Sequence, residues 1–75
     1  MEMLSTLQPG DVGVIVHVDV PRPVQETCCL LQITPGTRFQ VISCWGSMVL
    51  RFTSRIVVLG KHYAGLIEVI KLNTS

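Results

Sequence analysis

Residues 11–20 read D-V-G-V-I-V-H-V-D-V, the clearest strand signal in the chain. Valine occupies every second position from Val12 to Val20, with glycine, histidine and aspartate among the residues between. Side chains alternate faces along a strand, and β-branched residues favour that state. The stretch therefore predicts a strand with one face made of valine and the other mostly polar. The Pro-Arg-Pro segment at 21–23 ends it, because proline has no amide hydrogen to donate to a ladder.

The apolar period changes after this segment. Val24, Cys28 and Leu31 lie at i, i+4 and i+7, which places them on one face of a helix. Pro23 suits a first helical turn, where its missing N–H has no intrahelical partner to lose. We predict a short helix that ends near Gln32 and packs this apolar stripe across the open side of the sheet.

Two proline–glycine pairs predict turns. Pro9-Gly10 and Pro35-Gly36 each place proline at the first central position and glycine at the second, which is the preference of a type II turn. Each pair precedes a predicted strand. Pro9, Gly10, Pro35 and Gly36 are therefore predicted as structural turn residues.

The remaining pattern predicts short strands at close spacing. They cover residues 38–44, 48–53, 55–59 and 67–72, with connections at 45–47 and 53–54 and a short helical turn within 61–66. With the first strand, this indicates a mainly β, five-stranded small barrel or sandwich that forms one domain over residues 1–75. Closure into a barrel would remove exposed strand edges.

Composition and charge exclude several classes. Hydrophobic residues make up 48% of the chain, but no run reaches the ~20 apolar residues of a spanning helix. The start lacks a basic segment followed by a long apolar stretch, so we expect a cytoplasmic protein. The net charge of +1 argues against nucleic acid, whose binding depends on many lysines and arginines.

No catalytic or metal-binding motif stands out. Cys28, Cys29 and Cys44 are an odd number of cysteines without the close paired spacing of zinc sites, and the carboxylates are scattered. We therefore expect reduced thiols, no cofactor, no metal ligand and no enzymatic activity. The alternative is a small metal carrier or sensor that uses Cys44 with His17 or His62.

Trp45 is the most informative single residue. It lies at a predicted hairpin tip beside Gly46. The favoured interpretation is that it folds back to cover the end of the barrel; the other is that it contacts a partner, since tryptophan is enriched at interface hot spots. Met48 would extend whichever surface Trp45 serves.

Three segments resemble the ferrous-iron transport protein A family (FeoA), whose members are SH3-like barrels. They are L-x-x-L-x-P-G-x-x-G-x-I at 4–15, L-Q-I-T-P-G-T at 31–37, and V-L at 58–59 followed by A-x-x-I-x-V at 64–69, where x is a position outside the resemblance. The sequence departs from the family where Gln32 replaces a glycine, where 26–28 replace part of an arginine-rich helix, and where Gly60 replaces a basic residue. The first departure predicts a different backbone geometry at the helix end.

The resemblance implies an accessory role in ferrous-iron transport. The expected partner is the cytosolic domain of a FeoB-type transporter, which carries a guanine-nucleotide-binding domain, and the protein would be peripheral to the membrane only through that transporter. The same barrel occurs in metal-dependent repressors, but the absence of a winged-helix segment favours the transporter. Homo-oligomerisation stays open.

Overall fold

Most of the regular structure is β-strand. The computed structural model describes residues 2–72, and within them lie six strands, two α-helices and a 3-10 helix at Leu4–Thr6. The strands are β1 (Glu2–Met3), β2 (Val12–Val18), β3 (Arg38–Ser43), β4 (Ser47–Arg51), β5 (Ile56–Gly60) and β6 (Ile67–Lys71). The helices are α1 (Arg22–Leu30) and α2 (Lys61–Ala64). The predicted mainly β class, with a helix after the first long strand and a helical turn before the last, is confirmed.

All strands belong to one antiparallel sheet. Its order is β1-β6-β2-β3-β4-β5, so β1 and β5 are the edge strands. The two-residue β1 is a sixth strand that the sequence does not predict, because two residues carry no hydrophobic period. Among residues 2–72 no pairing between β1 and β5 closes the sheet, so closure into a barrel is not confirmed. The single domain over 1–75 stays a prediction, since residues 1 and 73–75 lie outside the described part.

The buried face of β2 is not the all-valine face that the sequence predicts. Gly13 and Ile15 are buried there, whereas Val12, Val14 and Val16 are half-buried. The pairing with β6 shifts register between Ile15 and His17, which marks an extra residue in β2. Such a bulge reverses the alternation, so beyond it Val18 packs against the core and Val20 is buried. The valines therefore change face within the strand.

The helix carries its predicted stripe and ends close to Gln32, as predicted. Cys28 is buried, and Val24 and Leu31 pack against the core. Regular helix stops at Leu30, and Gln32 follows with φ of 61°, in the left-handed region that glycine favours. Gln32 thus adopts a glycine-type conformation, and the expectation of a different backbone geometry at this position is wrong.

The core lies on the inner face of the sheet. Alternate residues of β3 to β6 point into it, and α1 contributes Cys28. Its most completely buried large side chains are Leu4, Leu7, Ile15, Ile33, Met48, Leu50, Ile67, Val41 and Val69. Within residues 2–72, no helix is both long and apolar enough to cross a membrane.

Candidate functional site

Each of the two proline–glycine turns ties the start of one strand to its neighbour: the Gly10 amide donates to the Val41 carbonyl, and the Gly36 amide donates to the Ile15 carbonyl, both at 2.7 Å. The Asp11 amide donates to the Gln8 carbonyl at 3.0 Å across one turn, and the Thr37 amide donates to the Thr34 carbonyl at 3.1 Å across the other. Gly10 and Gly36 have φ of 94° and 92°, as the second central residue of a type II turn requires. Pro9, Gly10, Pro35 and Gly36 thus shape the scaffold.

Asp11 supports the first turn in a way that the sequence analysis missed. Its Oδ2 accepts a hydrogen bond from the Gln8 amide at 2.8 Å, and its Oδ1 lies 3.5 Å from Lys71 Nζ. The side chain is largely buried, so a structural role accounts for this carboxylate. The signal in the sequence is an aspartate three residues after Gln8 with the Pro-Gly pair between them, because aspartate side chains accept hydrogen bonds from backbone amides in turns.

Trp45 projects into solvent from the β3–β4 connection. The Ser47 amide donates to the Trp45 carbonyl at 2.8 Å, and Gly46 has φ of 74°. The Trp45 side chain is 87% exposed. The interpretation that it covers the barrel end is therefore wrong, because a side chain at the tip of so short a connection contacts little of the core. Its role as a partner contact stays a prediction.

Met48 does not lie on the surface that Trp45 serves. It is fully buried in the core and pairs with Leu59 across the β4–β5 ladder. Strand alternation turns Val49 and Arg51 outward instead. The prediction of Met48 as a partner contact is thus corrected: it stabilises the core, and its neighbours form the outer face.

The outer face of β5 exposes apolar side chains. Ile56 is 60% exposed and Val58 is 67% exposed, while Val57 and Leu59 between them are buried. Val49 of β4 lies directly opposite Val58. The sequence of β5, I-V-V-L-G, is apolar on both faces, so it does not predict that the face with Ile56 and Val58 is exposed to solvent.

The histidines and cysteines do not form the set required by the metal-carrier alternative. Among residues 2–72, no three or more His, Cys, Asp or Glu side chains are placed to hold a metal ion. His17 lines a shallow cavity of about 260 Å³ with Cys28 and Cys29, whereas Cys44 packs against the core elsewhere. His62 is exposed and makes an edge contact with the Tyr63 ring.

Thiol chemistry at this cavity is asymmetric. Burial raises the pKa of the Cys28 thiol, with a smaller contribution from the neighbouring Cys29. Cys28 therefore stays protonated and packs as a small apolar side chain. Cys29 is exposed on α1. Cys28, Cys29 and Cys44 are free thiols in this structure.

Comparisons with known proteins agree with this architecture. The FeoA domain family model matches residues 3–71. No curated protein sequence matches the chain at a significant level. A solved iron uptake regulatory protein (FeoA) superposes with a TM-score of 0.87 at 27% identity, over 95% of this chain and 97% of that one.

Two further solved structures extend the likeness. The iron(II) transport protein A from Clostridium thermocellum has a TM-score of 0.84 at 25% identity. The match covers 95% of this chain and 46% of the Clostridium chain. The FeoA protein from Chlorobium tepidum has a TM-score of 0.89 at 19% identity, over 96% and 71% of the two chains, and shows the fold alone. The SH3-like fold implied by the sequence resemblance is confirmed. The chain therefore belongs to the FeoA domain family, and this membership supports a role in ferrous-iron uptake.

Proposed function

We propose that this protein is a cytoplasmic accessory factor that regulates a FeoB-type ferrous-iron transporter by binding its cytosolic domain. The observation that carries the proposal is the family match over residues 3–71, together with a structural neighbour described as an iron uptake regulatory protein. The protein reaches the membrane only through this partner.

The surface of the molecule supports a binding role. Trp45 offers a large apolar side chain at a hairpin tip, and rigid aromatic side chains are the commonest anchors of protein interfaces. The strand that leads to this tip is tied near its end by the Pro9-Gly10 turn, since the Gly10 amide donates to the Val41 carbonyl at 2.7 Å.

The test is direct titration of the transporter's cytosolic domain with the full chain. Trp45 is the only tryptophan of this chain, so a partner domain whose tryptophans are replaced by phenylalanine leaves it as the reporter. We expect saturable binding with a blue shift of Trp45 emission, in the nucleoside-diphosphate state, the triphosphate state or both. Absence of binding in both states would rule the proposal out.

A matched pair of variants locates the contact. Trp45→Ala should weaken binding by at least about tenfold, the usual scale for an anchor residue, as measured by calorimetry. Leu30→Ala is the control, because Leu30 is a comparably exposed apolar side chain on α1. Equal affinities for both variants and the unmodified chain would exclude Trp45 as the anchor.

A further inference from the structure

The β5 edge combines an exposed apolar face with an open backbone. Among residues 2–72, β5 pairs with β4 on one side and has no strand on the other. Its outward side chains, Ile56 and Val58, are more than half exposed. Natural edge strands are usually protected by charged side chains or proline, and β5 contains neither.

The backbone groups of the same two residues face the open side. The Phe52 amide donates to the Arg55 carbonyl at 2.8 Å, which makes Phe52/Arg55 a hydrogen-bonded pair. Hydrogen-bonded and non-hydrogen-bonded pairs alternate along an antiparallel ladder. The register therefore makes Val49/Val58 a non-hydrogen-bonded pair and turns the N–H and C=O of Ile56 and Val58 away from β4.

The charge around this edge is of one sign. Arg55 precedes β5, Lys61 follows it, and Arg51 lies opposite Ile56. The sequence contains no aspartate or glutamate between Glu26 and Glu68. An incoming strand thus meets cations at both ends of β5 and no carboxylate from this part of the chain.

The same charges argue against a second copy of this chain as the occupant. In a two-fold antiparallel pairing centred on Val58, Arg55 of one copy lies opposite Lys61 of the other. Like charges directly opposite each other destabilise a strand pair. A partner that carries acidic side chains removes this repulsion.

We propose that β5 is a docking edge that accepts an extended segment of a partner protein as an additional antiparallel strand, with alternating apolar side chains flanked by acidic residues. Ladder hydrogen bonds to Ile56 and Val58 supply affinity, and the apolar face with its cationic ends supplies specificity. Arg55 and Lys61 are six residues apart, so the acidic residues of the partner lie about 20 Å apart in extended chain. The inference rests on the proposed function for the partner's identity, but its test does not require the transporter.

The probe is the peptide Glu-Val-Thr-Val-Thr-Val-Glu with blocked ends, and the control replaces both glutamates with lysine. Centred on Val58, the first peptide places its glutamates opposite Arg55 and Lys61. We expect it to shift the amide NMR signals of Ile56 and Val58, to slow their hydrogen exchange, and to bind at least about tenfold tighter than the lysine peptide at low salt. No change at these amides, or equal affinity for both peptides, would overturn the proposal.

Two variants test separately the backbone hydrogen bonds of β5 to the peptide and the charges at the two ends of β5. Val58→Pro removes an outward N–H, which an edge strand tolerates, and should abolish peptide binding in a folded protein. Arg55→Glu/Lys61→Glu keeps the ladder and should reverse the preference in favour of the lysine peptide, which keeps the test decisive if the proline variant fails to fold. Preserved binding to folded Val58→Pro, or an unreversed preference, would contradict the proposal.

Other occupants are distinguishable outcomes. A dimer in sedimentation experiments that Val58→Pro dissociates would assign the edge to a second copy. Shifts of the β5 amides with phosphatidylserine vesicles, and none with either peptide, would assign it to a membrane surface. Transporter binding that persists without any peptide binding would overturn this inference alone, whereas peptide binding without transporter binding would support it and reject the proposed function.

Discussion

Gln32 carries a backbone conformation that its side chain disfavours. Its φ of 61° lies in the left-handed region, where the β-carbon of a non-glycine residue costs about 1–2 kcal/mol. The Gln32 amide donates to the Cys29 carbonyl at 3.1 Å, and the Ile33 amide donates to the Cys28 carbonyl at 2.7 Å. These are the two bonds of a Schellman motif, so the end of α1 holds Gln32 in place.

Replacement of this residue should therefore stabilise the protein. We expect Gln32→Gly to raise the free energy of unfolding by about 1 kcal/mol, because glycine adopts this conformation without steric cost. Gln25→Gly is the matched control; it lies within α1 and should lower stability by about 1 kcal/mol. Urea denaturation measures both, and a less stable Gln32→Gly would contradict the strain at this position.

Gly36 also has a positive φ, but here the residue is a glycine, so a substitution should destabilise the protein. Its φ is 92°, and nothing lies within 4 Å of an added β-carbon, so only the backbone conformation opposes a side chain. Gly36→Val should lower the free energy of unfolding by about 1–3 kcal/mol. Gly60→Val, at φ of −62° with only an ordinary contact to Tyr63, is the control. Similar melting temperatures for the two variants would refute the strained turn.

At the element scale, β2 depends on close approach to its two neighbours. Gly13 pairs with Phe39 of β3 and with Lys71 of β6. A β-carbon at Gly13 would lie 2.8 Å from the Ile70 carbonyl oxygen and 2.9 Å from Phe39 Cζ. The Phe39 ring thus covers the glycine, and this close packing precedes the bulge that reverses the buried face of β2.

Gly13→Ala tests this packing. The clash involves a backbone oxygen that cannot yield without moving β6, so we expect a loss of about 1–3 kcal/mol in stability. Gly65→Ala is the control, since the added β-carbon would lie 3.5 Å from its nearest neighbour, the His62 carbonyl oxygen. This variant should change stability by less than about 0.5 kcal/mol. A neutral Gly13→Ala in thermal denaturation would show that the sheet relaxes freely at this point.

At the scale of the whole molecule, the core and the fluorescent reporter are separated. The only tryptophan, Trp45, stands outside the core that unfolding disrupts. Urea unfolding should therefore change the far-UV circular dichroism strongly while the Trp45 emission maximum hardly moves. A large red shift that coincides with the dichroism transition would contradict the exposed hairpin tip.

Charge is also distributed over the whole molecule. The five carboxylates lie at or before Glu26 and at Glu68, so the β3–β4–β5 part of the sheet carries only cations. A net charge of +1 conceals this separation. The distribution, rather than the total, makes the β5 edge selective for an acidic partner.

Local chemistry determined the features that the sequence predicts by itself. The Pro-Gly turns, the stripe of α1 and the alternation within β3 to β6 depend on residues a few positions apart, and the family resemblance depends on the same residues. Backbone sterics at such short range act in any tertiary context. These features therefore needed no knowledge of the fold.

Only the tertiary structure decided which face is buried and what remains exposed. The valines of β2 change face because pairing with β6 inserts a bulge, and Met48 points inward because β4 pairs with β5 in one particular register. Alternation specifies which residues share a face, but a one-residue shift exchanges the two faces. Burial of Met48, exposure of Trp45 and the open β5 edge follow from contacts between segments distant in sequence, which no local pattern encodes.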